Sequence, residues 1–122
     1  MSKYITNKIK TIVAAGTSLA ADVESEKVRL DNYQTAKIVI TTDAGTEATT
    51  TAKVVAILPD ETEKEIVSKE IKIGGTESTI DFVANQLAHY DAVEFKVVIT
   101  GVAETTVTGG VIVVFGEERY SE

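Results

Sequence analysis

Val93-Glu94-Phe95-Lys96-Val97-Val98-Ile99-Thr100-Gly101 and Val107-Thr108-Gly109-Gly110-Val111-Ile112-Val113-Val114-Phe115-Gly116 are the two runs on which the fold turns. Both are rich in β-branched residues, and a short polar loop, Val102-Ala103-Glu104-Thr105-Thr106, joins them, so the pair predicts a β-hairpin within Asp91–Glu118. The first run alternates: Val93, Phe95, Val97 and Ile99 share one face, and Glu94, Lys96, Val98 and Thr100 the other. The second is apolar at every position from Val111 to Phe115, the pattern of a strand covered on both faces. Its cover is either the protein's own fold or a neighbouring copy.

Working outward, period-two segments fill most of the chain. Tyr4 to Val13 is a first strand with Ile5, Ile9 and Val13 inward and the basic Lys8 and Lys10 outward, broken at Ala14–Ser18. Ser18 to Val23 fits a short strand or a helical turn, and Glu26 to Leu30 is a short strand with Val28 and Leu30 inward. Gln34 to Thr42 places Ala36, Ile38 and Ile40 on the core face, and a connection around Gly45 reads as a second hairpin. Ala48 to Leu58 returns with Ala52, Val54, Ala56 and Leu58 inward, and Pro59-Asp60-Glu61 turns the chain out. Glu65 to Ile73 follows with Val67, Ile71 and Ile73 inward. Ile80, Val83, Ala84 and Leu87 recur at helical spacing, which predicts one short crossing helix near 82–88. The tail from Glu117 is polar apart from Tyr120, a residue placed to dock. About eight strands and this helix describe an all-β, two-layer antiparallel β-sandwich, of jelly-roll or immunoglobulin-like topology, as one domain over residues 1–122. Small inward residues such as Ala36, Ala52 and Ala56 suggest close approach of the sheets.

Composition narrows the function classes. The absence of cysteine removes disulfides, thiolate metal sites and a cysteine nucleophile. A net charge of −7 argues against a general nucleic-acid partner, which needs clustered Lys and Arg. No stretch reaches the ~20 apolar residues of a membrane helix, and Met1–Lys8 is too polar for a secretory leader, so the expectation is a soluble protein made in the cytoplasm.

Motifs for chemistry are sparse. His89, the single histidine, lies near Asp91, but no nucleophile elbow accompanies it. The acidic run Asp60, Glu61, Glu63, Glu65 is interrupted by Lys64, and Asp43 with Glu47 reads more simply as a solvated loop than as a calcium site. Glu70 and Glu94, candidates for a glycosidase pair, both fall at outward positions. Gly74-Gly75 and Gly109-Gly110 lack the context of phosphate loops and mark bulges or close backbone approach. Trp is absent, and Tyr4, Tyr33, Tyr90 and Tyr120 are scattered, so a sugar platform has no concentrated signal. The expectation is therefore no enzyme, no cofactor, no metal and no catalytic residue. The surplus apolar residues at outward positions, Val39, Val55, Ile57 and Val98, are covered either by loops or by another subunit.

In its phrasing the chain resembles the small, cysteine-free, Thr/Val/Ala-rich β-sandwich proteins of tailed-bacteriophage virions that decorate capsids. The residues that carry the resemblance are Tyr90-Asp91 leading into Ala92–Thr100, Gly110–Phe115 with its closing Gly116–Tyr120, and the opening Ile12–Ser18. It implies a virion structural protein on the capsid surface, bound to the major capsid protein in a homo-oligomer or multi-copy array. Two contact elements are expected. One is the N-terminal segment, through Lys3, Tyr4, Ile5, Lys8 and Lys10, by strand addition or charge complementarity. The other is the apolar strand, through Val111, Val113 and Phe115, against a sister copy. The alternative is a carbohydrate- or receptor-binding β-sandwich module.

Overall fold

β-branched residues at every second position are carried into long strands. A computed structural model describes residues 2–29, 35–43, 49–73, 77–83, 94–102 and 107–121. Along them run β1 (Ser2–Ser18), β2 (Val23–Glu24), β3 (Val28–Arg29), β4 (Thr35–Asp43), β5 (Thr49–Ile57), β6 (Glu63–Lys72), β7 (Glu77–Val83), β8 (Glu94–Ile99) and β9 (Thr108–Ser121). One sheet has the order β1-β9-β4-β7 and the other β2-β8-β5-β6, with β3 continuing the β2 position along the edge of β8. All pairings are antiparallel.

These pairings nest. β5 pairs with β6, β4 with β7, β2 and β3 with β8, and β1 with β9, so the chain is one long ribbon closed at the turn after Ile57. Wrapping that ribbon brings β9 against β4 and β8 against β5. Of the two expected topologies this is the jelly roll. An immunoglobulin-like sandwich would pair several consecutive strands within its sheets; here, among the described residues, only β5 and β6 do so.

The core lies between the sheets. Ala36, Ile38 and Ile40 of β4, Ala52, Val54 and Ala56 of β5, Phe95, Val97 and Ile99 of β8, and Val111, Val113 and Phe115 of β9 are all buried there. Each core phenylalanine lies opposite an alanine across its ladder, Phe95 to Ala56 and Phe115 to Ala36. The small inward residues thus make room for rings, as close packing requires.

Several expectations are corrected. The run Val93–Gly101 and the run Val107–Gly116 do not form a hairpin, because β8 and β9 lie in different sheets. The same holds for β4 and β5, whose connection at Gly45 is outside the described residues. Both connections cross between layers, and strand pattern and loop length alone do not separate that path from a hairpin. Among the described residues there is no helix: Ile80 to Val83 belong to β7, in register with β4 from Ile38 to Thr35, while residues 84–88 lie outside the description. A short apolar run satisfies both periods, and pairing with β4 decides for the strand. The polar tail is strand too, since Glu117 to Ser121 pair with Thr6 to Ser2.

Parity fails once in β1. One register shift falls at Ile12 and a second between Val13 and Thr17. Ile12 and Val13 are both buried, and Ile9, expected inward, is 64% exposed opposite outward Val114. Lys8 and Lys10, expected outward, lie opposite inward Phe115 and Val113. A bulge reverses which face a residue takes, and a bulge leaves no period-two trace in the sequence. β6 has the same device: Val54 pairs with Val67 and Val55 with Glu65, with Ile66 between them.

Candidate functional site: a basic groove beside an open edge

The apolar strand Val111–Phe115 is the inside of the molecule. β9 lies between β1 and β4, and Val111, Val113 and Phe115 are at most 3% exposed. They hold the two sheets together and are closed to a second copy of the folded chain. The same strand turns Ile112 and Val114 outward, where both are half-buried. Outward Val39, Val55 and Ile57 are buried as well, within the chain itself.

On the second sheet the cover is visible. Lys96 stands beside Val55 in register, and its Nζ donates to Glu24 Oε1 and Glu63 Oε2, both at 2.8 Å. The bridge ties β2, β8 and β6 together across β5. Hydrogen bonds from Lys96 to Glu24 first, then to Glu63, hold its ammonium above the ordinary lysine value. Neighbouring Lys53 and Glu65 pair at 3.4 Å. At the β5–β6 turn, Asp60 accepts from Thr62 Oγ1 at 2.6 Å and from Thr62 N at 3.1 Å, which lowers its pKa. Three carboxylates of the acidic run, Asp60, Glu63 and Glu65, are thus engaged in turn and surface contacts. Among the described residues no three His, Cys, Asp or Glu side chains are grouped for a metal.

The remaining chemical candidates separate. Glu70 is opposite Thr51 and Glu94 opposite Ile57, so six residue steps along β5 separate them, roughly 20 Å at the strand rise. Retaining and inverting glycosidases hold their carboxyls about 5–10 Å apart. His89, Asp91, Gly74, Gly75, Tyr33 and Tyr90 are outside the described residues. Gly109 and Gly110 are sites of close approach: a Cβ at Gly109 would meet Thr41 O at 2.8 Å and Leu19 Cδ1 at 2.9 Å, and one at Gly110 would meet Ala15 Cα at 2.9 Å.

What the fold brings together lies at one side of the sandwich. Among the described residues β1 is an edge strand, paired with β9 alone. Lys3, Tyr4 and Ile5 occupy it opposite Tyr120, Arg119 and Glu118. Lys8 and Lys10 are exposed on it, flanking Ile9. β3 forms the facing edge of the other sheet, and a groove of about 460 Å³ opens between them. Lys8, Lys10, Lys27 and Arg29 line it with Val28, Phe115 and one carboxylate, Glu94. Lys10 pairs with Glu26 at 3.1 Å, both half exposed. The Glu26 amide donates to Ile12 O at 3.4 Å, closing that part of the β1 edge. The opposite edge is guarded differently: Lys69 Nζ donates to Thr79 O of β7 at 2.6 Å, a lysine laid across an edge strand. Lys8 and Lys10 were legible in the sequence, but Lys27 and Arg29 were not. They join the site only through the β3–β8 pairing, for which two residues of strand give no periodic signal.

The class this architecture defines is the jelly-roll β-sandwich. No family model matches the chain, and no curated protein matches it in sequence. Solved structures match in fold. The SPBc2 prophage-derived protein YomS superposes with a TM-score of 0.60 at 11% identity, over 93% of this chain and 96% of that one. A chain of infectious bursal disease virus, Gx strain, gives 0.55 at 9% identity; the match covers 93% of this chain and 32% of the viral one. A subunit from the disulfide-linked pili of Bacillus endospore appendages gives 0.53 at 12%, over 100% and 93% of the two chains. The fold neighbours therefore include prophage and viral proteins, and at these identities the likeness is one of fold.

Proposed function

We propose that the chain is a non-enzymatic structural protein of a phage particle, bound in many copies to the outer surface of the major capsid protein. The observation that carries this reading is the β1 edge: an edge strand of 17 residues that bears the solitary exposed large hydrophobic of the described residues, Ile9, between two lysines. A long strand edge with an exposed apolar residue is a liability unless a partner covers it. The fold neighbours of prophage and viral origin support the setting. The rest of the molecule suits a mechanical part, with its core closed and outward Val39, Val55 and Ile57 buried by its own residues. Binding that favours the assembled, expanded shell stabilises it by mass action. Purified protein mixed with phage heads is expected to co-sediment with them and to raise the temperature at which they release DNA. Protein left in the supernatant at micromolar concentration would end this reading.

A further inference from the structure

We infer that the groove between β1 and β3 receives an extended acidic segment of a neighbouring protein, laid along the open part of β1. The inference rests on the proposed structural role and names the chemistry of the contact. Three observations converge. Among the described residues the groove is lined by four cations and one carboxylate, with Lys10 also paired to Glu26, in a chain whose net charge is −7. The wall on one side is an edge strand that, among the described residues, pairs only with β9 and is closed by Glu26 at Ile12. Ile9, 64% exposed, stands on that wall between Lys8 and Lys10.

Each feature selects a property of the occupant. The edge strand takes another strand, because main-chain hydrogen bonds are what an edge offers. The lysines select acidic side chains, and a partner's carboxylates would be drawn to this groove by local charge complementarity. Ile9 adds an apolar anchor. A second copy pairing β1 to β1 about a two-fold centred on Ile9 would set Lys8 of one copy against Lys10 of the other, and like charges directly opposed destabilise a ladder. A polyphosphate gains nothing from the strand edge, because it has no main chain to pair with it. The acidic extended peptide is the occupant that satisfies all three.

The test uses the full chain and an N-acetylated octapeptide of alternating glutamate and valine, with a glutamine–valine octapeptide and a thymidine octanucleotide as the other arms. Fluorescence anisotropy is expected to show saturable binding of the acidic peptide. That binding should weaken about tenfold from 50 mM to 500 mM salt, as screened charge contacts do. Lys8→Glu with Lys27→Glu should abolish it while the circular dichroism spectrum and melting temperature stay as in the parent. Hydrogen exchange should slow at the amides of residues 8–11 when the peptide is bound, a signature that charge attraction alone does not produce. Equal binding of the glutamine peptide, binding of the oligonucleotide instead, or acidic binding without protection of residues 8–11 would each overturn the inference. Heads that bind the parent and the double variant equally well overturn it too, leaving the virion role intact. Peptide binding in a protein that ignores heads leaves the groove standing and removes the virion role.

Discussion

Lys96 shows how a single residue can serve two purposes on a sheet face. Its stem lies over β5 beside Val55, and its ammonium bridges Glu24 and Glu63. The carboxylates are 61% and 49% exposed, so they rehydrate when the lysine is gone, and the bridge itself is worth at most about 1 kcal/mol. Lys96→Met, which keeps the stem, is expected to stay within about 1 kcal/mol of the parent in urea unfolding. Lys96→Ala uncovers β5 and should cost about 1–2 kcal/mol. The pH dependence follows from the raised lysine pKa. The bridge contributes fully below the unfolded value of 10.5 and is lost as pH rises through the higher folded value. The margin of the parent over Lys96→Met should therefore shrink above pH 10.5 and hold steady between pH 7 and 9. Glycines make a second residue-scale test. A Cβ at Gly101 would meet the backbone of Ala21 at 2.5 Å, whereas Gly16, with φ at +85°, has open space around it. Gly101→Ala must push two segments apart and should cost about 2–3 kcal/mol; Gly16→Ala meets only the left-handed backbone penalty of about 1 kcal/mol. Thermal melts of the two variants should rank in that order.

At the scale of the element, β9 is the decisive case. Five consecutive apolar residues give no parity, and the structure assigns it: Val113 is inside at 0% exposure, and Val114 is outside and half-buried. Val113→Ala should cost about 2 kcal/mol and Val114→Ala less than about 1 kcal/mol in chemical denaturation. Equal costs would mean that something covers the outer face as tightly as the core. The strands themselves were legible because alternation survives in β4, β5 and β8, where one face is buried and the other meets polar neighbours. Their partners were not. Alternation says which face is inward but not which strand lies alongside, so the β8–β9 and β4–β5 crossings read as hairpins. Bulges at Ile12 and Ile66 reverse parity without altering composition, which is why Ile9 was placed inward. The candidate site was half legible for the same reason. Two of its cations stand on a strand long enough to be read, and Lys27 and Arg29 lie beside or within a two-residue strand that exists only through its register with Phe95 and Glu94.

The whole molecule is a ribbon whose pairings all depend on one another. Its closed end is the β5–β6 turn, where Leu58 N donates to Thr62 O at 2.9 Å, and its open end joins Ser2 to Ser121. Closing the distant pairs first would cost the most loop entropy, so pairing should start at the turn and advance outward. This order can be reversed without changing the contacts. Because Ser2 and Ser121 are opposite each other, a short flexible linker can join the termini, and new ends can be opened at the exposed residues Asp60 and Glu61. The permuted chain keeps nearly every pairing, so its stability should fall by no more than about 1–2 kcal/mol. Its hairpin is now β9–β1, and β5 with β6 become the last pair to meet. Val54→Ala, a core substitution in β5 paired to Val67, should accordingly slow folding in the parent but mainly speed unfolding in the permutant. Stopped-flow folding and unfolding rates of the four proteins decide the matter. A Val54→Ala effect that stays on the folding limb in both chains would mean that the β5–β6 core forms early whatever the connectivity, and that the ribbon does not set the order of assembly.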